Sequence, residues 1–80
     1  MGLRLSIIAY DGIEPIDIGA TYGVLSMARR IAPEISMHVA APTREVVMAQ
    51  GLRLTADCTL EEAGPADVVL VLGGPGWVEA

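Results

Sequence analysis

The chain has 80 residues, of which 52% are hydrophobic and 19% are charged, and its formal net charge at pH 7 is −5. This is shorter than a typical domain of about 100–150 residues, yet too apolar for a disordered chain. The acidic balance argues against the basic surface that nucleic-acid binding needs. We expect part of the apolar surface to be covered by further chain or by a partner subunit.

The first half of the chain predicts a strand, a helix and a second strand. Residues 3–10 are almost continuously apolar, which is typical of a strand buried on both faces. Pro15 suits the first position of a helix, and apolar residues recur at helical spacing over 16–31 until Pro33 stops the helix. They cover most of its circumference, so we expect the helix to be buried on more than one side. Residues 35–42 predict the second strand.

The second half predicts a hairpin, a brief helix and a buried strand. Residues 45–57 have the pattern of a strand pair. Thr59 and Glu62 have the spacing of a capping box, so residues 59–64 are predicted to form a short helix. Residues 67–72 have the clearest pattern of a buried strand.

Alternating strands and helices predict an α/β domain with a parallel sheet and right-handed crossovers. One long helix and one short helix do not cover both faces of such a sheet. We therefore predict that residues 1–80 are one piece of a single domain.

Three carboxylates follow the first strand, at the edge where open α/β sheets bind ligands. Asp11 is most simply a turn residue, and Glu14 is expected to be extended or at the helix cap because it precedes Pro15. Asp17 lies in the first helical turn, where the helix dipole favours its charged form and burial among isoleucines would favour its neutral form. Two interpretations stay open for Asp17: an acid or base, or an acidic residue that only stabilises the helix dipole.

Two glycines, Gly73 and Gly74, follow the last strand at the same predicted edge. Without a Cβ, their backbone N–H groups can face a phosphate or a developing oxyanion. The alternative is a turn that needs positive φ. Phosphate is disfavoured because the sequence has neither a dinucleotide-binding motif nor a P-loop, and because the first loop is acidic.

The remaining reactive or aromatic side chains carry weaker signals. Cys58 has no positive neighbour to activate it, and a single cysteine is typical of a reducing compartment. His38 is predicted to be a packed or half-exposed strand residue, and with no second histidine and no cysteine pair we predict no metal site. Tyr10 and Trp77 either line a pocket or pack against neighbouring elements. The N-terminal apolar run is too short for a membrane span and no convincing cleavage site follows it, so we expect a cytoplasmic protein without membrane contact.

Taken together, the two loops resemble a known family. The segment DGIEPIDI at 11–18 and the segment DVVLVLGGPG at 67–76 are similar to the N-terminal half of the DJ-1/PfpI (ThiJ/PfpI) superfamily, and the resemblance covers essentially the whole chain. It implies a flavodoxin-like, class I glutamine amidotransferase-like sandwich around a parallel sheet, and a homodimer.

The resemblance also implies roles for individual residues. The family's nucleophile is a cysteine on a strand-to-helix elbow, which a carboxylate from the first loop contacts. Asp17 matches that carboxylate, Gly73 and Gly74 match the family's glycine pair, and Glu14 is expected among the substrate-binding residues. The aspartate at this position makes the chain similar to the isonitrile-hydratase branch and to the sensor domains of AraC-type regulators. Cys58 does not align with the elbow cysteine, which is absent from these residues.

Two functions follow from the resemblance. One is a cysteine-dependent hydratase or hydrolase of a small electrophile, similar to isonitrile hydratase, with no cofactor and with no activity in these eighty residues alone. The other is the ligand-sensing and dimerising domain of an AraC-type regulator, in which this segment does not itself bind DNA. That branch usually reads Asp-Leu-x-Gly-Pro, whereas this chain has Ala20 and Thr21 in place of the glycine and the proline, which leaves the substrate open. A flavodoxin-like electron carrier has the same topology, but the sequence lacks its phosphate-binding loop.

Overall fold

A four-stranded parallel sheet, one long helix and a small hairpin make up the fold in the computed structural model, which describes residues 2–73. The elements in chain order are β1 Leu3–Ile8, α1 Pro15–Ile31, β2 Ile35–Ala41, β3 Glu45–Val47, a 3₁₀ turn Ala49–Gly51, β4 Arg53–Thr55, β5 Cys58–Thr59 and β6 Val68–Val71. In the described residues, no helix combines the length and the apolar character that a membrane span requires.

The main sheet has the strand order β5-β2-β1-β6, and every neighbouring pair is parallel. From β1 the chain passes to β2 on one side and later returns to place β6 on the other side of β1. A change of direction of this kind marks the topological switch point of flavodoxin-like sheets. The predicted α/β class with a parallel sheet is therefore confirmed, and β3 with β4 forms the predicted hairpin as a separate antiparallel pair.

Local signals determine where α1 begins and ends. Glu14 is the N-cap residue in an extended conformation (φ −77°, ψ 122°), as expected for a residue that precedes Pro15. Its carbonyl oxygen accepts hydrogen bonds from the N–H groups of Asp17 at 3.1 Å and Ile18 at 3.3 Å. At the other end the helix stops at Ile31, two residues before the predicted stop at Pro33.

The burial of α1 differs from the prediction. Ile18 is the one buried residue of the helix, and it joins a core cluster with Ile7 of β1 and Val39 of β2. The outer apolar side chains of the helix are open to solvent, Val24 at 66% and Ile31 at 89% exposure. The expectation of a helix buried on more than one side is wrong for the described residues, because they offer α1 a packing surface on one side only.

The strand β6 also differs from the prediction. Its pattern of Val-Val-Leu-Val predicts burial, yet Val69 and Val71 are 57% and 54% exposed. Within the described residues β6 pairs with β1 alone and is the edge strand of the sheet. The sequence of β6 is typical of a buried strand, but the described residues do not include neighbours that would cover its outer face.

The predicted short helix at 59–64 is a turn. Thr59 lies in strand β5, where it pairs with Ala41 of β2, so the chain is still extended at the point where the helix was expected to start. The capping-box bonds form nevertheless: the Glu62 carboxylate accepts the Thr59 N–H at 2.9 Å, and the Glu62 N–H donates to the Thr59 hydroxyl at 3.3 Å. Gly64, with φ +69°, then takes the chain out of the turn. The hydrogen bonds of a single turn do not offset the free-energy cost of helix nucleation.

Candidate functional site

The candidate site lies at the carboxyl ends of β1 and β6, on either side of the topological switch point. The loop 9–14 leaves β1 there, and Leu72 and Gly73 leave β6 beside it. Because β1 and β6 are parallel neighbours with Ile8 opposite Val71, their ends meet at one edge of the sheet. In open α/β sheets this crevice is where ligands bind.

The Asp17 carboxylate lies beside Gly73. A Cβ atom placed on Gly73 would be 3.7 Å from Asp17 Oδ2, which is ordinary van der Waals contact. The two residues are 56 positions apart in the sequence (73 − 17), and the fold brings them together as expected. Gly73 is not among the described glycines with positive φ, so a turn geometry that only glycine adopts does not explain this residue.

Asp17 is more open to solvent than its sequence surroundings predict. Its side chain is exposed, because Ile16 points outward at 71% exposure while Ile13 and Ile18 pack into the core. The expectation of burial among isoleucines is therefore wrong. Asp17 keeps its place in the first helical turn, where the positive end of the helix dipole favours a negative charge.

Glu14 joins the two loops through its backbone. Its N–H group donates to the Gly73 carbonyl oxygen at 3.3 Å. The first turn of α1 is thus tied directly to the residue that follows β6. Asp17, one helical turn along, reaches the same glycine with its side chain, and the two contacts together define the described part of the site.

A further contact at this edge comes from Tyr10, whose place the sequence left open. Its hydroxyl group donates a hydrogen bond to the Leu72 carbonyl oxygen. The ring is half-buried and packs against the core cluster. The sequence does show a tyrosine at the end of a strand, with a hydroxyl group that can form a hydrogen bond. It does not indicate which group that hydroxyl binds.

The hairpin holds the first loop from the other side. Asp11 Oδ1 accepts the Val47 N–H at 3.0 Å, and the Gly12 N–H donates to the Val47 carbonyl at 2.8 Å. Gly12 has φ +87°, a conformation that favours glycine. The Ala49 N–H also donates to the Ile13 carbonyl at 2.9 Å. Asp11 is a turn residue as predicted, and its side chain additionally fixes the loop to β3.

The charge at this edge is negative in the described residues. Asp11, Glu14 and Asp17 all lie on it, whereas the hydrogen bonds of the described arginine side chains lie elsewhere. They join Arg4 to Ala63, Arg29 to Ile35, and Arg44 to Asp57 and Glu62. Like charges repel at short range, so the edge disfavours phosphate and other strongly anionic ligands and suits a neutral molecule.

The other sequence candidates lie away from this edge or outside the described residues. Cys58 is half-buried in β5, at the opposite side of the sheet from β6. His38 Nε2 lies 2.9 Å from the hydroxyl of Ser6, in the middle of the sheet. Gly74 and Trp77 fall outside residues 2–73. Over that range, no three His, Cys, Asp or Glu side chains are grouped to hold a metal ion.

A groove of about 630 Å³ is present, but not at this edge. It lies between α1 and the hairpin, and its lining includes Tyr22, Met27 and Leu54. The described part of the candidate site is formed by the loop 9–14, the first turn of α1 and Gly73.

Comparisons with known proteins agree on the fold. No family model and no curated protein matches the chain, whereas solved structures do. Oxidized DJ-1 of Toxoplasma gondii matches with a TM-score of 0.72 and 20% identity, over 94% of this chain and 40% of that one. DJ-1 of Schizosaccharomyces pombe matches with a TM-score of 0.75 and 20% identity, over 91% and 42%. An AraC family transcriptional regulator from Pseudomonas putida matches with a TM-score of 0.77 and 21% identity, over 90% and 47%.

These similarities establish the fold and its extent. The chain has the fold of DJ-1 superfamily proteins and of AraC-family regulators, and it spans less than half the length of the three structures above. The sequence resemblance to that superfamily is confirmed at the level of the fold.

Proposed function

We propose that the chain is the N-terminal part of a DJ-1/PfpI-type domain and supplies half of a small-molecule site. Asp17 and Gly73 are the described members of that half, Glu14 lines it, and Gly74 is expected to add a second amide. A cysteine from a segment outside these eighty residues would complete the site. The observation that carries the proposal is that Asp17 Oδ2 lies 3.7 Å from the position that a Cβ atom on Gly73 would take.

In this proposal Asp17 is the proton partner of the cysteine. As the sulfur bonds to the electrophilic carbon, the thiol proton passes to Asp17 Oδ and then to the product. For an isonitrile, the S–H group adds to the terminal carbon and gives a thioimidate, and water then releases the thiol and leaves an N-substituted formamide. This chemistry consumes one water and needs no oxidant, reductant or cofactor.

The backbone of Gly73 is suited to the second task, which is to stabilise negative charge as it develops. An N–H group aimed at such a charge in a site shielded from water contributes strongly to rate. A side chain larger than a methyl group at position 73 would press against Asp17 and separate the two groups, which is a reason for a small residue there that does not depend on φ. The acidic edge further supports a neutral electrophile as the substrate class.

The second candidate is the ligand-sensing domain of an AraC-type regulator. The similarity to the Pseudomonas putida regulator at a TM-score of 0.77 supports it, and the aspartate at position 17 fits this candidate as well as the first. In that case the same edge holds a small ligand without making a bond to it. The net charge of −5 argues that any DNA contact is made by another domain.

Dimerisation and a cytoplasmic location are part of the same proposal. The apolar outer residues of α1 and β6 support a covering partner or further chain, and the single cysteine suits a reducing compartment. We expect the eighty residues alone to be inactive, because half of the site is missing from them.

The test is the variant Asp17→Asn in the full-length protein, with Glu61→Gln as its control. Asn keeps the size of the side chain but cannot take a proton, so turnover of an aryl isonitrile is expected to fall about 10²–10⁴-fold. Glu61 is an exposed carboxylate in the 59–64 turn, and its variant is expected to retain full turnover. Equal turnover by Asp17→Asn and the parent protein would contradict the proposal. Absence of turnover in the parent, together with saturable ligand binding, would favour the sensor.

A further inference from the structure

Tyr10 touches the backbone at the point where β6 enters the candidate site. Its hydroxyl group donates to the Leu72 carbonyl oxygen across the ends of β1 and β6. The carbonyl of Leu72 and the N–H of Gly73 belong to one planar trans peptide group, in which they point in opposite directions. Holding one of them in place therefore sets the direction of the other.

The peptide group on the other side of Gly73 is held as well. Its carbonyl oxygen accepts the Glu14 N–H at 3.3 Å. The Tyr10 carbonyl oxygen accepts the Ile13 N–H at 3.1 Å. Within residues 2–73 no hydrogen-bond acceptor is present for the Gly73 N–H.

We propose that Tyr10 is a positioning residue that aims the Gly73 N–H into the candidate site. The hydroxyl holds the Leu72 carbonyl on one side of the chain and so turns the Gly73 N–H toward the opposite side. A glycine that follows an edge strand is otherwise mobile about both of its dihedral angles. An effect of this orientation on the reaction rate rests on the proposed function, because the N–H group can stabilise only a negative charge that develops at the site.

A purely structural role for Tyr10 makes a different prediction. A hydroxyl that only joins two strand ends would contribute to stability, about 1 kcal/mol for a typical hydrogen bond, and its loss would leave the Gly73 N–H pointing the same way. The direction of one N–H bond therefore separates the two roles. Residual dipolar couplings measure that direction in solution.

The experiment compares Tyr10→Phe with the matched variant Tyr22→Phe in the full-length protein. Tyr22 lies on α1 at 40% exposure, away from the candidate site, and no hydrogen bond of its hydroxyl is present within residues 2–73. Tyr10→Phe is expected to change the residual dipolar coupling of the Gly73 N–H and the chemical shift of the Leu72 carbonyl carbon. The couplings of β1 and α1 should stay as they are, and Tyr22→Phe should leave Gly73 unchanged.

Kinetics give the second measurement. With the N–H misdirected rather than removed, kcat for an aryl isonitrile is expected to fall about 3- to 10-fold with KM nearly constant, less than the loss of a whole oxyanion donor. An unchanged Gly73 coupling in Tyr10→Phe would overturn the inference, whatever the activity. A second outcome is a changed Gly73 coupling in Tyr10→Phe together with wild-type kinetics in both Tyr10→Phe and Asp17→Asn. That outcome would support the positioning role of Tyr10 and contradict the proposed function.

Discussion

Two regions of this molecule are held in different ways. The edge where β1 and β6 end is held by specific hydrogen bonds within the chain: Asp11 to β3, Glu14 to Gly73, and Tyr10 to Leu72. The outer apolar side chains of α1 and β6, such as Val24, Ile31 and Val69, are exposed in the described residues. The difference indicates that the candidate site is organised by contacts within this chain, whereas burial of the outer surfaces depends on what covers them.

The largest effect is expected at the one buried residue of α1. Ile18→Ala removes a side chain from the core cluster and should lower the free energy of unfolding by about 3 kcal/mol, through lost burial and the cavity left behind. Ile31→Ala, at 89% exposure, is the matched change on the outer face. Urea unfolding of the full-length protein measures both.

The result for Ile31→Ala decides what the outer face is. A loss below about 0.5 kcal/mol is typical of a surface substitution and means that the face is open in solution. A loss close to that of Ile18→Ala means that other residues cover it. That second result would extend the buried region to both sides of α1, as the sequence pattern predicts.

Variants of Gly73 test the edge where β1 and β6 end. Gly73→Ala adds a methyl group at ordinary contact distance from Asp17, so ligand affinity and turnover should change less than about 3-fold, as for an unstrained contact. Gly73→Val brings further atoms against the carboxylate and should displace it, with a loss of about 10²-fold for a shift near 1 Å. Equal effects of the two variants would show that Asp17 does not need its place beside residue 73.

Asp11 tests how strongly the hairpin holds the first loop. Asp11→Ala leaves the Val47 N–H without its acceptor and should lower the free energy of unfolding by about 1 kcal/mol. Asp11→Asn keeps an acceptor oxygen and should recover most of that loss. If Asp11→Asn is as unstable as Asp11→Ala, the negative charge matters more than the hydrogen bond.

The smallest effect is expected at the exposed turn. Hydrogen bonds from the Thr59 backbone, the Arg44 side chain and the Thr59 hydroxyl lower the pKa of Glu62 below its ordinary value of 4.5. A lowered folded-state pKa gives stability that is present above the unfolded pKa and is lost as the pH falls through the folded value. Urea unfolding measured from neutral to acid pH should therefore show that the free energy of unfolding falls slightly more in the parent protein than in Glu62→Gln. Identical pH profiles would mean that the Arg44–Glu62 pair is fully screened by solvent.

Much of the fold follows from the sequence alone. Apolar periodicity and Pro15 and Pro33 place α1 to within a residue or two, and the alternation of strands and a helix predicts a parallel sheet. These signals are local, because each depends on residues within a few positions of one another. The same holds for the capping-box bonds of Thr59 and Glu62, which form even though the helix they predict does not.

Only the tertiary structure decided which apolar surfaces are buried and which distant groups meet. The pattern of β6 is the same whether or not another strand lies beside it, so burial depends on neighbours that the pattern does not specify. The contact of Asp17 with Gly73 was an expectation from shared placement at one sheet edge, and the fold supplies its distance. The bond from Tyr10 to Leu72 joins groups far apart in sequence, and a long side chain with one polar tip has many possible partners until the fold selects one.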